Sequence, residues 1–225
     1  MPIVCDKGGA QGSSDKGILW PIACALGISV AACSTPPSDK PASTALAAVA
    51  RPAIAPGTRF VEWDYRTGKE ESWVVEKVAA DGSVTGAGFG GCSFTLTELG
   101  FGPALAWNDC PDDLPAWRSG TNTISAHEGG LFPLAVGNTE SWTFTSRSST
   151  GETGADTRTC TVTSTVRLLT RDGERDAFKV VCDGRWATRV AYLGPDGNLI
   201  RSTETNKKRG MQWDSEIVRI EPPAV

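Results

Sequence analysis

Between positions 158 and 169 the chain alternates in polarity. Cys160, Val162, Val166 and Leu168 fall on one side, and Thr159, Thr161, Thr163, Thr165 and Arg167 on the other. A period of two sustained this long fits a strand with one buried face and cannot be laid on a helix. Arg171-Asp172-Gly173 follows as a turn, and Phe178, Val180 and Cys182 alternate beyond it. Turn chemistry between two alternating runs predicts an antiparallel hairpin.

The same grammar recurs along the chain. Strands are expected at 58–66, where Val61, Trp63 and Tyr65 oppose Glu62 and Asp64, and at 71–79, 83–87, 186–193, 198–205 and 213–220. Gly194-Pro195-Asp196-Gly197 marks the turn before 198–205. The expected class is all-β: an antiparallel meander of roughly eight to ten strands forming a curved sheet, sandwich or partly open barrel. Residues 97–138, rich in glycine and proline, read as a long irregular insertion covering the sheet or serving as a functional loop. An internal echo is also present. Pro56-Gly57-Thr58 leads to Trp63, and Val136-Gly137-Asn138 leads to Trp142, each followed by a cysteine pair.

At 225 residues the chain can bury one sizeable core. Its net charge of -4 and lack of a basic stripe argue against a nucleic-acid partner, whose phosphates need neutralising. Lys207, Lys208 and Arg209 are the one basic run, expected as a solvated hairpin tip.

The N-terminal region reads as an address. Lys16 precedes an apolar run, 18–32, too short for the ~20 residues of a spanning helix and of the right length for a signal-peptide core. It ends in Val30-Ala31-Ala32-Cys33, and Ser34-Thr35-Pro36-Pro37 follows. This segment resembles a bacterial lipoprotein precursor, with Val30-Ala31-Ala32-Cys33 as its lipobox. The resemblance implies diacylglycerol on the Cys33 thiol, cleavage before Cys33, and contact with the lipoprotein-processing enzymes. It places the protein in the cell envelope with the membrane as a partner. Ser34 in place of an aspartate implies the outer membrane, facing the periplasm, where the organism has two membranes. Two other readings of the same residues are an ordinary small-residue cleavage site, leaving Cys33 a free thiol, and an uncut short anchor. The expected division is signal peptide 1–32, a lipidated proline- and alanine-rich tether 33–56 with a helical turn or two in 42–51, and one β-rich domain 57–222.

Of the seven cysteines, cleavage removes Cys5 and Cys24 and lipidation uses Cys33. Four remain, and they admit three pairings in a compartment that permits disulfides. The local pairs Cys92–Cys110 and Cys160–Cys182 are expected. The second requires a β-bulge, because the 171–173 turn would otherwise set Cys182 opposite residue 162 or 163. Between 130 and 203 the chain also resembles envelope antiparallel-β proteins. Phe132-Pro133 with Val136-Gly137 leads into the Trp142 strand, and Tyr192 later ends in Gly194-Pro195-Asp196-Gly197. That resemblance implies a fold and carries no catalytic residue.

Candidate chemistry is sparse. His127 is the single histidine. It stands beside Glu128, but neighbours on a strand point oppositely, and no Gly-x-Ser-x-Gly elbow supplies a nucleophile. One histidine excludes multi-histidine metal sites, and Asp109, Asp112 and Asp113 lack the spacing of a calcium loop. The run 86–91 lacks the ending of a phosphate cradle and reads as a strand-terminating loop. Trp63, Trp73, Trp142, Trp186 and Trp213 are expected to fill the core, while Trp107 and Trp117 are the candidate ligand contacts. No catalytic residue, cofactor or metal is assigned. The expectation is a lipid-anchored envelope protein, non-enzymatic, that binds an apolar or glycan ligand or an envelope protein. The alternative is an envelope hydrolase using His127 or the acidic turn near Asp109.

Overall fold

The computed structural model describes residues 39–97, 100–110 and 115–223. The lipobox through Cys33 and the aspartates 112 and 113 lie outside them. In chain order the strands are β1 (Asp39–Pro41), β2 (Arg59–Asp64), β3 (Lys69–Val78), β4 (Val84–Gly88), β5 (Cys92–Leu96), β6 (Ala104–Asn108), β7 (Gly120–Gly129), β8 (Thr139–Ser148), β9 (Thr153–Thr170), β10 (Gly173–Asp183), β11 (Ala187–Leu193), β12 (Leu199–Asn206) and β13 (Gly210–Glu221). From β2 to β13 each strand pairs antiparallel with the next, and β13 returns to β2, so twelve strands close into a barrel. Closure pairs sheet edges that would otherwise be left open. The strand β1 is the extra one. It pairs with β9 from Asp39↔Leu168 to Pro41↔Val166, beyond the reach of β8, whose last pair with β9 is Thr139↔Thr161.

One irregularity in the long hairpin β9–β10 reshapes the molecule. Lys179 pairs with Ser164 and Val180 with Val162, leaving Thr163 without a partner. An extra residue reverses which face each later side chain takes. Cys160 and Val162 therefore join the interior cluster with Trp142, Phe178 and Val180, whereas Val166 and Leu168 join a separate cluster with Ala177, Tyr192 and Ile200. The expectation that Cys160, Val162, Val166 and Leu168 share one face is corrected by this bulge. The same bulge sets Cys182 opposite Cys160, and the two are joined; Cys92 is joined to Cys110.

Beyond the last pair with β11, Phe178↔Leu193, the start of β10 runs on with the end of β9 and with β1 as a three-stranded flap. The flap lays Val166, Leu168 and Ala177 on the outer wall against Tyr192 and Ile200. Inside the barrel, the register puts Phe60, Trp73, Phe94, Trp142, Cys160, Val180 and Leu193 on one face. Phe101, Leu131 and Leu134 come from the connecting loops to fill the middle. An internal cavity of about 50 Å³ remains, room for waters rather than for a ligand.

The echo in the sequence is a repeat in the structure. Gly57 donates its N–H to Val75 O (2.7 Å), Val75 to Thr58 O (2.9 Å) and Thr58 to Ala55 O (3.1 Å). The counterparts are Gly137 to Val162 (2.8 Å), Val162 to Asn138 (3.0 Å) and Asn138 to Ala135 (3.0 Å). Gly57 and Gly137 have φ of 87° and 98°, a conformation that favours glycine. Val75 and Val162 each precede a bulge, and a second bulge recurs at Thr95/Leu96 and Tyr192/Leu193. The halves β2–β7 and β8–β13 thus share a plan, although their disulfides differ in position. Where the second half bridges Cys160 to Cys182, the first pairs Trp73 with Gly88.

Two segments differ from expectation. The stretch 97–138 contributes β6 and β7, which complete the barrel; β7 hides its alternation because Ile124 is its one large aliphatic residue. The stretch 42–56 lies along the folded body with no helical turn. Ser43 binds Asp176, Val49 bridges Leu134, and Leu46 and Ile54 pack on the apolar clusters. Alanine and proline there signalled a tether, but the few aliphatic residues between them are enough to dock it.

Candidate functional site

The pairing of β12 with β13 runs from Asn206↔Gly210 to Arg201↔Glu216 and stops. Beyond that point Leu199 stays with β11, while Ile217 follows β2. Where the two strands part, a cleft of about 600 Å³ opens. Leu46, Leu199, Ile200, Ile217, Val218 and Ile220 give it an aliphatic floor, and Arg175, Asp176, Asp196 and Arg219 stand around it. Asn198, Leu199 and Ile217 also line the internal cavity, so the cleft abuts the apolar interior. Its size falls in the range of small-molecule sites, about 300–1,000 Å³.

A buried polar network fixes the wall beside it. Arg201 and Asp214 form a two-armed pair, and the Arg201 guanidinium lies 3.9 Å from the centre of the Tyr65 ring. Tyr65 donates its hydroxyl to Glu216 at 2.7 Å; burial, and then Glu216, push the phenol up to about 12. Glu216 also accepts the Arg171 N–H from the flap tip, whose guanidinium sits 3.8 Å over Trp63. Deeper in the flap, Asp39 accepts from Lys179 and from the Tyr192 hydroxyl, and burial raises that phenol too. These contacts hold Arg175 and Asp176 at the side of the cleft.

The interior carries charge as well. Glu62 accepts the Trp73 indole N–H at 2.8 Å, and burial raises its carboxyl above the ordinary value. Arg189 reaches across to the Gly100 carbonyl, and burial lowers its guanidinium.

The residues singled out from sequence are scattered. Trp107 and Trp117 stack on each other at 6.5 Å, and the Trp107 indole N–H donates to the Trp117 carbonyl; neither lines the cleft. His127 lies in β7 with its Nε2 2.7 Å from Oε1 of buried Glu140, not beside Glu128, and its ring stacks on Trp142. It lies outside both cavities. Asp109 accepts from Asn108, and its N–H donates to Ser119. Among the described residues no cluster of three metal-ligating side chains occurs. Of the core tryptophans, Trp142 is buried and Trp63, Trp73 and Trp213 partly so. Trp186 is corrected: it is 41% exposed, because it stands in a turn before β11 and not within the strand.

The cleft residues were not singled out from sequence. The signal was Ile217-Val218, two aliphatic neighbours that break the alternation of β13 where the register slips. No family model, curated protein or solved structure matches the chain.

Proposed function

We propose that this chain is a cell-envelope protein, lipid-anchored through Cys33, whose barrel binds an apolar ligand in the cleft between β12 and β13. The observation that carries the binding role is the aliphatic floor of that cleft, open to solvent and abutting the interior through Leu199 and Ile217. Arg175 and Arg219 at its edge suit a polar head on such a ligand. The anchor rests on Val30-Ala31-Ala32-Cys33, and the two disulfides suit an oxidising compartment. In a cell with two membranes, Ser34 assigns it to the outer membrane.

The test has two arms. Cells expressing the full chain are fed an alkyne fatty acid; Cys33 takes the label, and Cys33→Ser loses it. The purified protein is then examined by native mass spectrometry. A co-purifying apolar mass is expected, and Ile220→Glu, which places a carboxylate in the cleft, should abolish it. A protein that is bare and takes up no added lipid ends the binding reading.

The hydrolase reading retains one supporting observation, the bond between His127 and buried Glu140, which could hold the imidazole as a base. It requires an esterase or glycosidase activity that His127→Ala removes.

A further inference from the structure

We propose that the turns 184–186 and 207–209, side by side at one end of the barrel, form a binding surface for an acidic polysaccharide. Both turns join antiparallel neighbours, β10 to β11 and β12 to β13, and so emerge at the same end. Trp186 is the one aromatic among the large apolar side chains left exposed in the described residues. Its ring is flanked by the Arg185 guanidinium at 4.7 Å and the Lys208 ammonium at 5.6 Å.

The arrangement is held in place. Lys207 donates its N–H to the Trp186 carbonyl at 2.8 Å, and its ammonium to the Gly184 carbonyl and to Asp183. Arg185 donates its N–H to Asp156, at 2.6 Å, and a Cβ on Gly184 would stand 2.8 Å from the same carboxylate. The turn is therefore seated tightly on a buried acid, and the cations project from a fixed base.

The repeat shows that exposure here is not the fold's default. The equivalent turn of the first half carries Phe89, which tucks against Trp213 at 5.4 Å and Phe94 at 6.1 Å. Trp186 has no such cover.

Charge points to the occupant. The chain carries -4 overall, yet these turns set Arg185, Lys207 and Lys208 about Trp186, with Lys207 paired to Asp183. Carboxylates spaced along a sugar chain can meet the Arg185 and Lys208 cations while the sugar's C–H groups pack against the exposed part of the indole. A bilayer fits less well. Neither turn carries a second large apolar side chain to enter hydrocarbon beside Trp186.

The full chain, purified in detergent, is titrated with polygalacturonate as the acidic probe and dextran as the neutral one. Binding to polygalacturonate is expected to weaken with salt, and about tenfold in Arg185→Ala/Lys208→Ala, with dextran unbound. Arg185→Lys/Lys208→Arg should bind as the parent does, and a shared unfolding midpoint shows that both variants fold. No binding of polygalacturonate, or equal binding by the alanine variant, overturns the proposal. So does a surface that binds phosphatidylglycerol vesicles and not the polysaccharide. The outcome is independent of the cleft.

Discussion

Arg201 and Asp214 face each other across β12 and β13 through two hydrogen bonds of 3.0 Å each, Nε to Oδ1 and Nη2 to Oδ2. Both side chains are almost wholly buried, at 6% and 0% exposure, on the outer wall of the barrel. Charges shut away there are tolerable only as a pair. Asp214→Ala leaves the guanidinium unpaired and should cost about 3–5 kcal/mol in urea unfolding. Arg201→Met/Asp214→Leu removes both charges and should cost less than Asp214→Ala alone. A double variant weaker than either single one would show that the pair itself contributes the stability.

Deleting Thr163 removes only the unpaired residue: Ser164 stays opposite Lys179, and Val162, now beside it, stays opposite Val180. Cys160 keeps its place opposite Cys182, so the deletion chain should still carry that bridge, seen by mass after proteolysis without reduction. Deleting Thr163 and Ser164 together takes one residue more than the bulge holds, sets Cys182 opposite Thr159 and should give free thiols or scrambled bridges. Loss of the bridge in the single deletion, or a native bridge in the double one, would contradict this.

Gly88→Ala should be among the most damaging of small substitutions. A Cβ at Gly88 would stand 2.4 Å from the Ser72 carbonyl oxygen and 2.5 Å from Trp73, backbone and side chain that cannot retreat. Overpacking of this kind costs about 1–3 kcal/mol or more. Gly90→Ala, with nothing within 4 Å but a φ of 77°, tests backbone strain without overpacking and should cost less.

Glu62 makes stability depend on pH in a direction opposite to that of most carboxylates. Burial raises its folded value above 4.5, so the unfolded chain releases that proton first. Its contribution is therefore favourable below 4.5 and is lost as pH rises from there through the folded value. Glu62→Gln keeps an acceptor for the Trp73 indole and cannot ionise. It should be more stable than the parent at neutral pH, with the advantage vanishing below 4.5. Urea midpoints across that range measure it.

Sequence alone determined the local grammar. The alternation in 158–169, the 171–173 turn and Gly194-Pro195-Asp196-Gly197 specified antiparallel strands, because the two-residue period and turn chemistry are local properties. The Cys160–Cys182 pairing and its need for a bulge were legible, but the register was not: the turn from Thr170 to Gly173 is tighter than expected and would set Cys182 opposite Thr161, not residue 162 or 163, so one unpaired residue suffices. The strand β7 was not, because a run dominated by Thr, Ser, Asn and Gly shows no apolar period.

Only the tertiary structure decided the rest. Which core Val166 enters depends on Thr163 being left out of the ladder, a choice that is not written in side-chain polarity. Whether twelve strands close depends on β13 meeting β2, residues from opposite ends of the domain. The partner of His127 is Glu140 across a register, not its neighbour Glu128. The cleft exists because β12 and β13 part after Arg201↔Glu216, and Trp186 is exposed because no aromatic partner lies over it. Periodicity reports what each strand can bury; register and closure, which are long-range pairings, settle what it is buried against.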